Sequence, residues 1–415
     1  MRDVPEIRFK GFSDAWVQRK LSSLVDFSNG INAPKEQYGK GRKMISVMDI
    51  LSDEPIKYSI IKNSVEVDDK TKNNFKVECG DLVFVRSSEV ASEVGWAKAY
   101  TDDEYALFSG FSIRGNKKSD FDNCFIELSL NSKNRAQIES KTGGSTRFNV
   151  NQSILSDVAI FQPNLTEQTA IGNFFHALDK TITLLKRKLD KLKQLKKAYL
   201  QQMFPQAGER VPKVRFAGFS GDWEERRLGE VIEKLKSYSL SREAETNEVT
   251  GYRYIHYGDI HKQVADIVVA DEQLPHIKEG NYIPIEKGDL VLADASEDYV
   301  GIAEPCIILH TPKDKIIAGL HTIAIRPVKS NPLYLYFLFH TDEFRKFGKY
   351  VGTGLKVFGI TYNNLAQYAM VLPSFEEQTA IGNFFRNLDE QITAQQIKLD
   401  NLKQLKSAYL QKMFV

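Results

Sequence analysis

A chain of 415 residues, 42% hydrophobic and 27% charged, has the balance of a globular protein of two or three domains with ample core. Its formal net charge of +2 points to no partner by itself, and its three cysteines, Cys79, Cys124 and Cys306, form no C-x-x-C pair, which leaves reduced, buried thiols as the simplest reading. Residues 1–6 carry no apolar signal region and the longest apolar run, 333–339, is too short to span a bilayer; a cytoplasmic protein without membrane contact is expected.

In chain order the first feature is V-P-E-I-R-F-K-G-F, from Val4 to Phe12, followed by Trp16. Short apolar or alternating runs bounded by Gly, Asn and Asp then predict strands at 44–50, 82–86 and 158–161, with helical stretches at 125–131 and 134–140. At Glu167 the sequence E-Q-T-A-I-G-N-F-F opens a long helix without an internal Pro. Its apolar positions Leu178, Ile182, Leu185, Leu189, Leu192, Leu195 and Tyr199 form a seam that ends at Met203-Phe204, before Pro205. The basic run 180–197 is read as a solvated helix face.

The same order then repeats. V-P-K-V-R-F-A-G-F from Val211 precedes Trp223; strands are predicted at 254–257, 290–293, 323–326 and 369–372, and a helix at 333–349. A second E-Q-T-A-I-G-N-F-F from Glu377 opens a second helix with the seam Leu388, Ile392, Gln395, Leu399, Leu402, Leu405 and Tyr409. Between Glu167 and Phe204, 27 of 38 positions are identical in the second copy, which marks a duplication. A helix about 55 Å long with one apolar stripe needs a partner, and its duplicate is the obvious one.

The intervening segments have diverged but keep a skeleton. Gly80-Asp81-Leu82-Val83 matches Gly288-Asp289-Leu290-Val291; Val94-Gly95 and Ala97 match Val300-Gly301 and Ala303; Gly144, Phe148, Val150 and Leu155 match Gly354, Phe358, Ile360 and Leu365. One fold is therefore expected for both. The architecture expected is α+β: two tandem mixed α/β heads at 1–163 and 206–373, separated by two long helices at 164–205 and 374–415 that pack as an antiparallel coiled coil, with an internal two-fold pseudo-repeat.

Catalytic signatures are missing. There is no G-x-x-x-x-G-K-[ST] loop, and Gly352-Thr353-Gly354 does not complete a dinucleotide fingerprint. The seven His residues, His256, His261 and His276 among them, form no H-E-x-x-H, and no G-x-S-x-G elbow supports a serine hydrolase. The Asn-Pro-Pro-aromatic motif of amino-methyltransferases is absent too. No metal or cofactor is expected in this chain.

Like helices beside unlike heads suggest that like surfaces dock like partners and unlike surfaces read unlike targets. Duplex DNA is a ligand of that kind. Glycine-rich basic loops recur at 141–147 and 352–356, so Lys141, Ser145, Thr146, Arg147 and Lys356 are candidates for phosphate or base contact. Arg86 and the aromatic trio Tyr252, Tyr254 and Tyr257 join them, against the plainer readings of an exposed hairpin loop, core packing or a structural ion pair.

V-P-x-x-R-F-x-G-F, a variable head with a G-D-L-V strand, then E-Q-x-A-I-G and a leucine-rich helix ending A-Y-L-Q-x-M-F, all repeated once, resembles the specificity subunit of type I restriction-modification enzymes. The resemblance implies two target recognition domains reading an interrupted, asymmetric sequence in double-stranded DNA. It also implies two modification subunits, which bind S-adenosylmethionine and methylate adenine N6, and two restriction subunits, which use ATP and Mg²⁺; this chain itself would be non-catalytic. An alternative is a coiled-coil assembly scaffold whose heads bind proteins, and a self-sufficient hydrolase would need an unrecognised site.

Overall fold

The computed structural model describes residues 4–144, 146–298, 301–354 and 358–415. Contacts divide the chain into two compact units, Met1–Lys186 with Ile397–Val415, and Arg187–Gln396. Each unit thus holds one head, the start of the long helix that follows it, and the last turns of the other repeat's long helix.

In the first unit, Val25–Asn29, Ser112–Lys117, Leu82–Val85 and Ala97–Ala99 lie side by side in that order as an antiparallel sheet. The inner strand L-V-F-V is buried on both faces, which explains its unbroken apolar run. Leu82 and Phe84 pack with Trp16 and Phe125, while Val83 and Val85 pack with Ile45, Tyr100 and Phe108. A second layer pairs Tyr38–Ile45 parallel to Leu107–Phe108. Val17–Lys20 pairs antiparallel with Ala159–Gln162 and so brings both ends of the head together.

The second unit repeats this plan. Ile232–Lys234, Thr322–Pro327, Leu290–Ala293 and Pro305–Ile308 follow the same order, with Ile267–Val268 added at the edge. Tyr252–Ile255 runs parallel to Lys315–Ala318, and Glu224–Arg227 pairs with Ala369–Leu372.

Two of the expected strands stop early. After Tyr38–Ile45 the chain turns into the helix Val47–Leu51, because Ser46 caps it and its N–H donates to Asp49 Oδ2 at 2.8 Å. After Tyr252–Ile255, His256 and Asp259 play the same parts for Tyr257–His261. The helix expected at 333–349 is two, Pro332–Leu338 and Asp342–Val351, the second capped by Thr341. The cysteines are free, but of the three thiols expected to be buried Cys306 is buried, Cys124 is half-buried and Cys79 is exposed. Burial pushes the Cys124 thiol up to about 12.

The long helices are Leu165–Gln202 and Phe375–Lys412, 38 residues each. Asn164 Oδ1 accepts the Glu167 N–H at 3.0 Å and Ser374 Oγ the Glu377 N–H at 3.3 Å, so each first turn has a side-chain cap. Within each unit the two helical segments run antiparallel. In the first unit Asp179 meets Lys406 at 2.5 Å and Phe174 stacks edge-on with Tyr409; in the second, Asp389 meets Lys196 at 2.6 Å and Phe384 stacks with Tyr199. Leu189, Leu388, Gln395 and Leu399 are buried, and Leu178, Ile182, Leu185, Leu192, Ile392 and Leu402 are partly covered. Leu195 and Leu405, expected in the seam, are 42% and 44% exposed. A strict heptad from Leu192 or Leu402 reaches Lys196 or Lys406 instead. Their apolar stems lie along the seam while each ammonium finds an aspartate.

Each helix also carries a glycine where alanine would be the better helix former. A Cβ on Gly382 would stand 2.8 Å from Leu333 Cβ and 3.1 Å from Tyr334 N; one on Gly172 would stand 2.3 Å from Asp122 Oδ1. The heads' own helices, Asn123–Asn131 and Pro332–Leu338, start against these bare backbones. Beside them Gln168 Oε1 accepts the Asp122 N–H, and Gln378 Oε1 the Asn331 N–H.

Candidate nucleic-acid interface

The opening motif of each repeat anchors its head to its helix. Arg8 grips Glu167 with two bonds of 2.6 Å, and Arg215 grips Glu377 with two of 2.7 Å, on carboxylates 0% and 1% exposed. The G-D-L-V motif likewise proves structural. Asp81 pairs with Arg114 and Asp289 with Arg326 at the start of the inner strand, and each aspartate also closes a turn by accepting the N–H of Glu78 or Glu286.

The other end of that strand is where the heads diverge. In the first, Arg86 donates its N–H to Phe111 O at 2.8 Å and accepts from Val150 N at 3.0 Å. Among the described residues its half-buried side chain makes one long contact, Nη1 to Gly110 O at 3.3 Å. Arg147 lies with its guanidinium carbon 5.4 Å from the Phe111 ring, which is 50% exposed. Lys141, Thr146 and Arg147 are all exposed, in a loop closed by the pairing of Gly143 with Asn149. Ser145 and Lys356 lie outside the described residues.

In the second head, Asp294 takes the place of Arg86: its N–H donates to His321 O at 3.0 Å and its carbonyl accepts from Ile360 N at 2.8 Å. Its carboxylate reaches His321 Nδ1 at 3.2 Å. Burial pushes this carboxyl above the usual range, and His321 partly opposes that. The half-buried Tyr257 packs against His321, ring centroids 5.3 Å apart, and against His256 and His261.

The tyrosine trio is therefore not one cluster. Tyr252 is half-buried, with Lys315 Nζ donating to its hydroxyl at 2.8 Å. Tyr254 is fully buried with Ile277 and Ile317 and donates to Glu245 at 2.8 Å, so it leaves no surface for a nucleic acid. Burial raises its phenol far above the ordinary value. Phe111, Asp294 and His321 were not singled out from sequence. The exposed aromatic in Ser109-Gly110-Phe111-Ser112, between two apolar runs, is the signal that was available.

A further matched feature lies at the start of each long helix. A cavity of 280 Å³ touches Arg8, Asp14, Val17, Arg19 and Asn164 in the first unit. Its counterpart of 540 Å³ touches Arg215, Asp222, Glu224, Arg226 and Ser374 in the second. Among the described residues no group of three or more His, Cys, Asp and Glu side chains is placed to hold a metal ion, and no helix is long and apolar enough to cross a membrane.

The chain is similar in fold to a crystal structure of a type I restriction-modification system S subunit from M. genitalium, at 16% identity over 99% of each chain and a TM-score of 0.59. It is also similar to a chain from a structural study of complex assembly and conformational transition in the type I R-M system, at 17% identity over 96% of this chain and 97% of that one, with a TM-score of 0.53. No curated protein sequence matches it. The family described as type I restriction modification DNA specificity domain matches twice, at residues 13–194 and 220–404. Those spans take in most of both heads and of both long helices, and the chain belongs to that family.

Proposed function

We propose that this chain is the non-catalytic DNA-specificity subunit of a type I restriction-modification complex, that each head reads one half of a bipartite, asymmetric duplex target, and that two modification subunits dock on it in equivalent settings. The observation that carries this reading is the contrast between framework and tips. Anchors such as Arg8–Glu167 and Arg215–Glu377 repeat bond for bond, whereas one tip carries Arg86, Phe111 and Arg147 and the other Asp294, His321 and Tyr257. Repeated anchors suit a partner present twice. Unlike tips suit two different half-sites.

Lys141, Thr146 and Arg147 then lie in the first head's DNA-facing loop, with Arg86 beside it, and Tyr252 and Tyr257 serve the second head. Methyl transfer from S-adenosylmethionine belongs to the modification subunits, and ATP- and Mg²⁺-dependent cleavage to two restriction subunits. The test is to map methylated adenines in cells that carry the modification subunit with and without this chain. The expected result is one interrupted motif that appears only with the chain. Absence of any motif, together with DNA affinity that does not fall as salt rises, would favour an assembly scaffold that binds proteins.

A further inference from the structure

Residues 86 and 294 occupy one structural position in two heads. Each follows a fully buried strand of four residues, Leu82–Val85 or Leu290–Ala293. Each has its N–H bound to the carbonyl of an exposed or half-exposed ring residue, Phe111 or His321, and its own carbonyl bound to the residue after the 148–149 or 358–359 strand. The backbone is thus held from both sides in the same way, and only the side chain is free to differ.

What differs is hydrogen-bonding sense. Arg86 is a planar fork of five donors with no acceptor, and among the described residues it spends one on Gly110 O and meets no carboxylate. Asp294 offers acceptor oxygens, which among the described residues meet His321 Nδ1 at 3.2 Å. The companion rings differ in the same manner, an apolar Phe111 against a polar His321. At the opposite end of the same strand the two heads keep the same Asp–Arg pair. A position needed only for folding would have no reason to invert its polarity while every bond to its backbone stays the same.

We propose that residues 86 and 294 are the matched base-reading positions of the two heads, Arg86 selecting a guanine edge in one half-site and Asp294 an exocyclic amino donor, that of cytosine, in the other, with Phe111 and His321 as their flanking contacts. A guanidinium fork fits the O6 and N7 acceptors of guanine, and a carboxylate accepts from cytosine N4. The assignment rests on the specificity-subunit reading above and goes further by naming the residue and the base class.

The experiment uses the full chain assembled with the modification subunits. The motif is first mapped by sequencing methylated adenines, and binding is then measured on a panel of duplexes carrying every single-base change in that motif, at two salt concentrations. R86A should flatten preference at one base pair of one half, with discrimination falling about 5- to 150-fold and the other half untouched. D294A should do the same in the other half, and D294R should move preference there toward guanine. If R86A or D294A fails to assemble, R86K and D294N are read in its place, since Lys keeps the charge without the fork and Asn exchanges an acceptor for a donor. An unchanged motif, or a uniform loss across the panel with a shallower salt dependence, overturns the proposal. If the unaltered complex itself shows no sequence preference, the specificity reading fails instead, which is a separate outcome.

Discussion

Arg8→Ala should be among the most damaging single changes in the first unit, although Arg8 lies in the opening motif, far in sequence from the long helix it supports. The guanidinium is 13% exposed and makes two 2.6 Å bonds to a Glu167 carboxylate that is 0% exposed. Its removal strands a buried charge, for which about 3–5 kcal/mol is the usual cost. Taking both partners away is milder, because an R8A/E167Q chain buries an amide in place of an unpaired carboxylate. A double-mutant cycle of R8A, E167Q and the pair should therefore give a coupling of about 2 kcal/mol or more. Hydrogen exchange resolved by segment is the assay, since a chain of two units has no single unfolding free energy. Protection should fall in the first unit for R8A, and in the second for the equivalent R215A against Glu377. Equal, additive effects of the two single changes, or a loss under 0.5 kcal/mol for R8A, would refute the idea that this pair anchors head to helix.

Leu189→Asp or Leu399→Asp places a carboxylate at a side chain only 4% or 3% exposed and should cost about 3–5 kcal/mol, whereas Leu195→Asp and Leu405→Asp, at exposed positions, should cost about 0.5 kcal/mol or less; thermal melting separates the two pairs. Burial, with the Arg242 cation adding to it, depresses the His256 imidazole against the opposing pull of Asp259 and Glu245. The unfolded chain then takes up the proton first, so stability present above about pH 6.5 should be lost as pH falls through the folded value. His256 Nδ1 accepts the Gly258 N–H, and H256S, which copies the Ser46 cap of the first head, should flatten this pH dependence in denaturant titrations of the second unit. Exchange of residues 10–160 for another head of the same fold should alter one half of the methylated motif and leave the other intact; a change in both halves would reject independent reading.

The parts of this architecture visible in the sequence are those with a short period or a literal repeat. Leu178, Ile182, Leu185, Leu189 and Leu192 announce a helix seam because the heptad is local, and L-V-F-V announces a doubly buried strand. The seam is misread at Leu195 since side-chain chemistry favours leucine there, while geometry selects Lys196, whose stem is apolar and whose charge is met by an aspartate on the other helix. Strands run over into helices at Ser46 and His256 for another reason: a five-residue helix is too short for its periodicity to outvote the preceding strand, and only the cap marks the change. At the tips, Arg147 was legible as a cation in a glycine-rich loop, but Tyr254 was not legible as core. Its fate is set by Ile277 and Ile317, which come from distant segments. The pairing of residue 86 with Phe111, and of 294 with His321, is a long-range backbone fact that no local pattern carries.

The exchange of helix ends between units bears on the order in which the molecule is finished during synthesis. Phe414 stacks on Phe125 of the first head, 5.1 Å away, and touches Trp16 of that head and Phe175 of the first long helix, while Phe204 stacks on Phe385 of the second long helix and meets Tyr334 of the second head. A growing chain makes Phe204 before the second head, so that head emerges with its plug already waiting. The first head has no such luck: its core stays open until Phe414 leaves the ribosome, long after Trp16 and Phe125. Two units with matching packing thus differ in contact order and in the time their apolar cores stand exposed. Chaperone binding on stalled nascent chains should accordingly concentrate on the first head, although its sequence comes first.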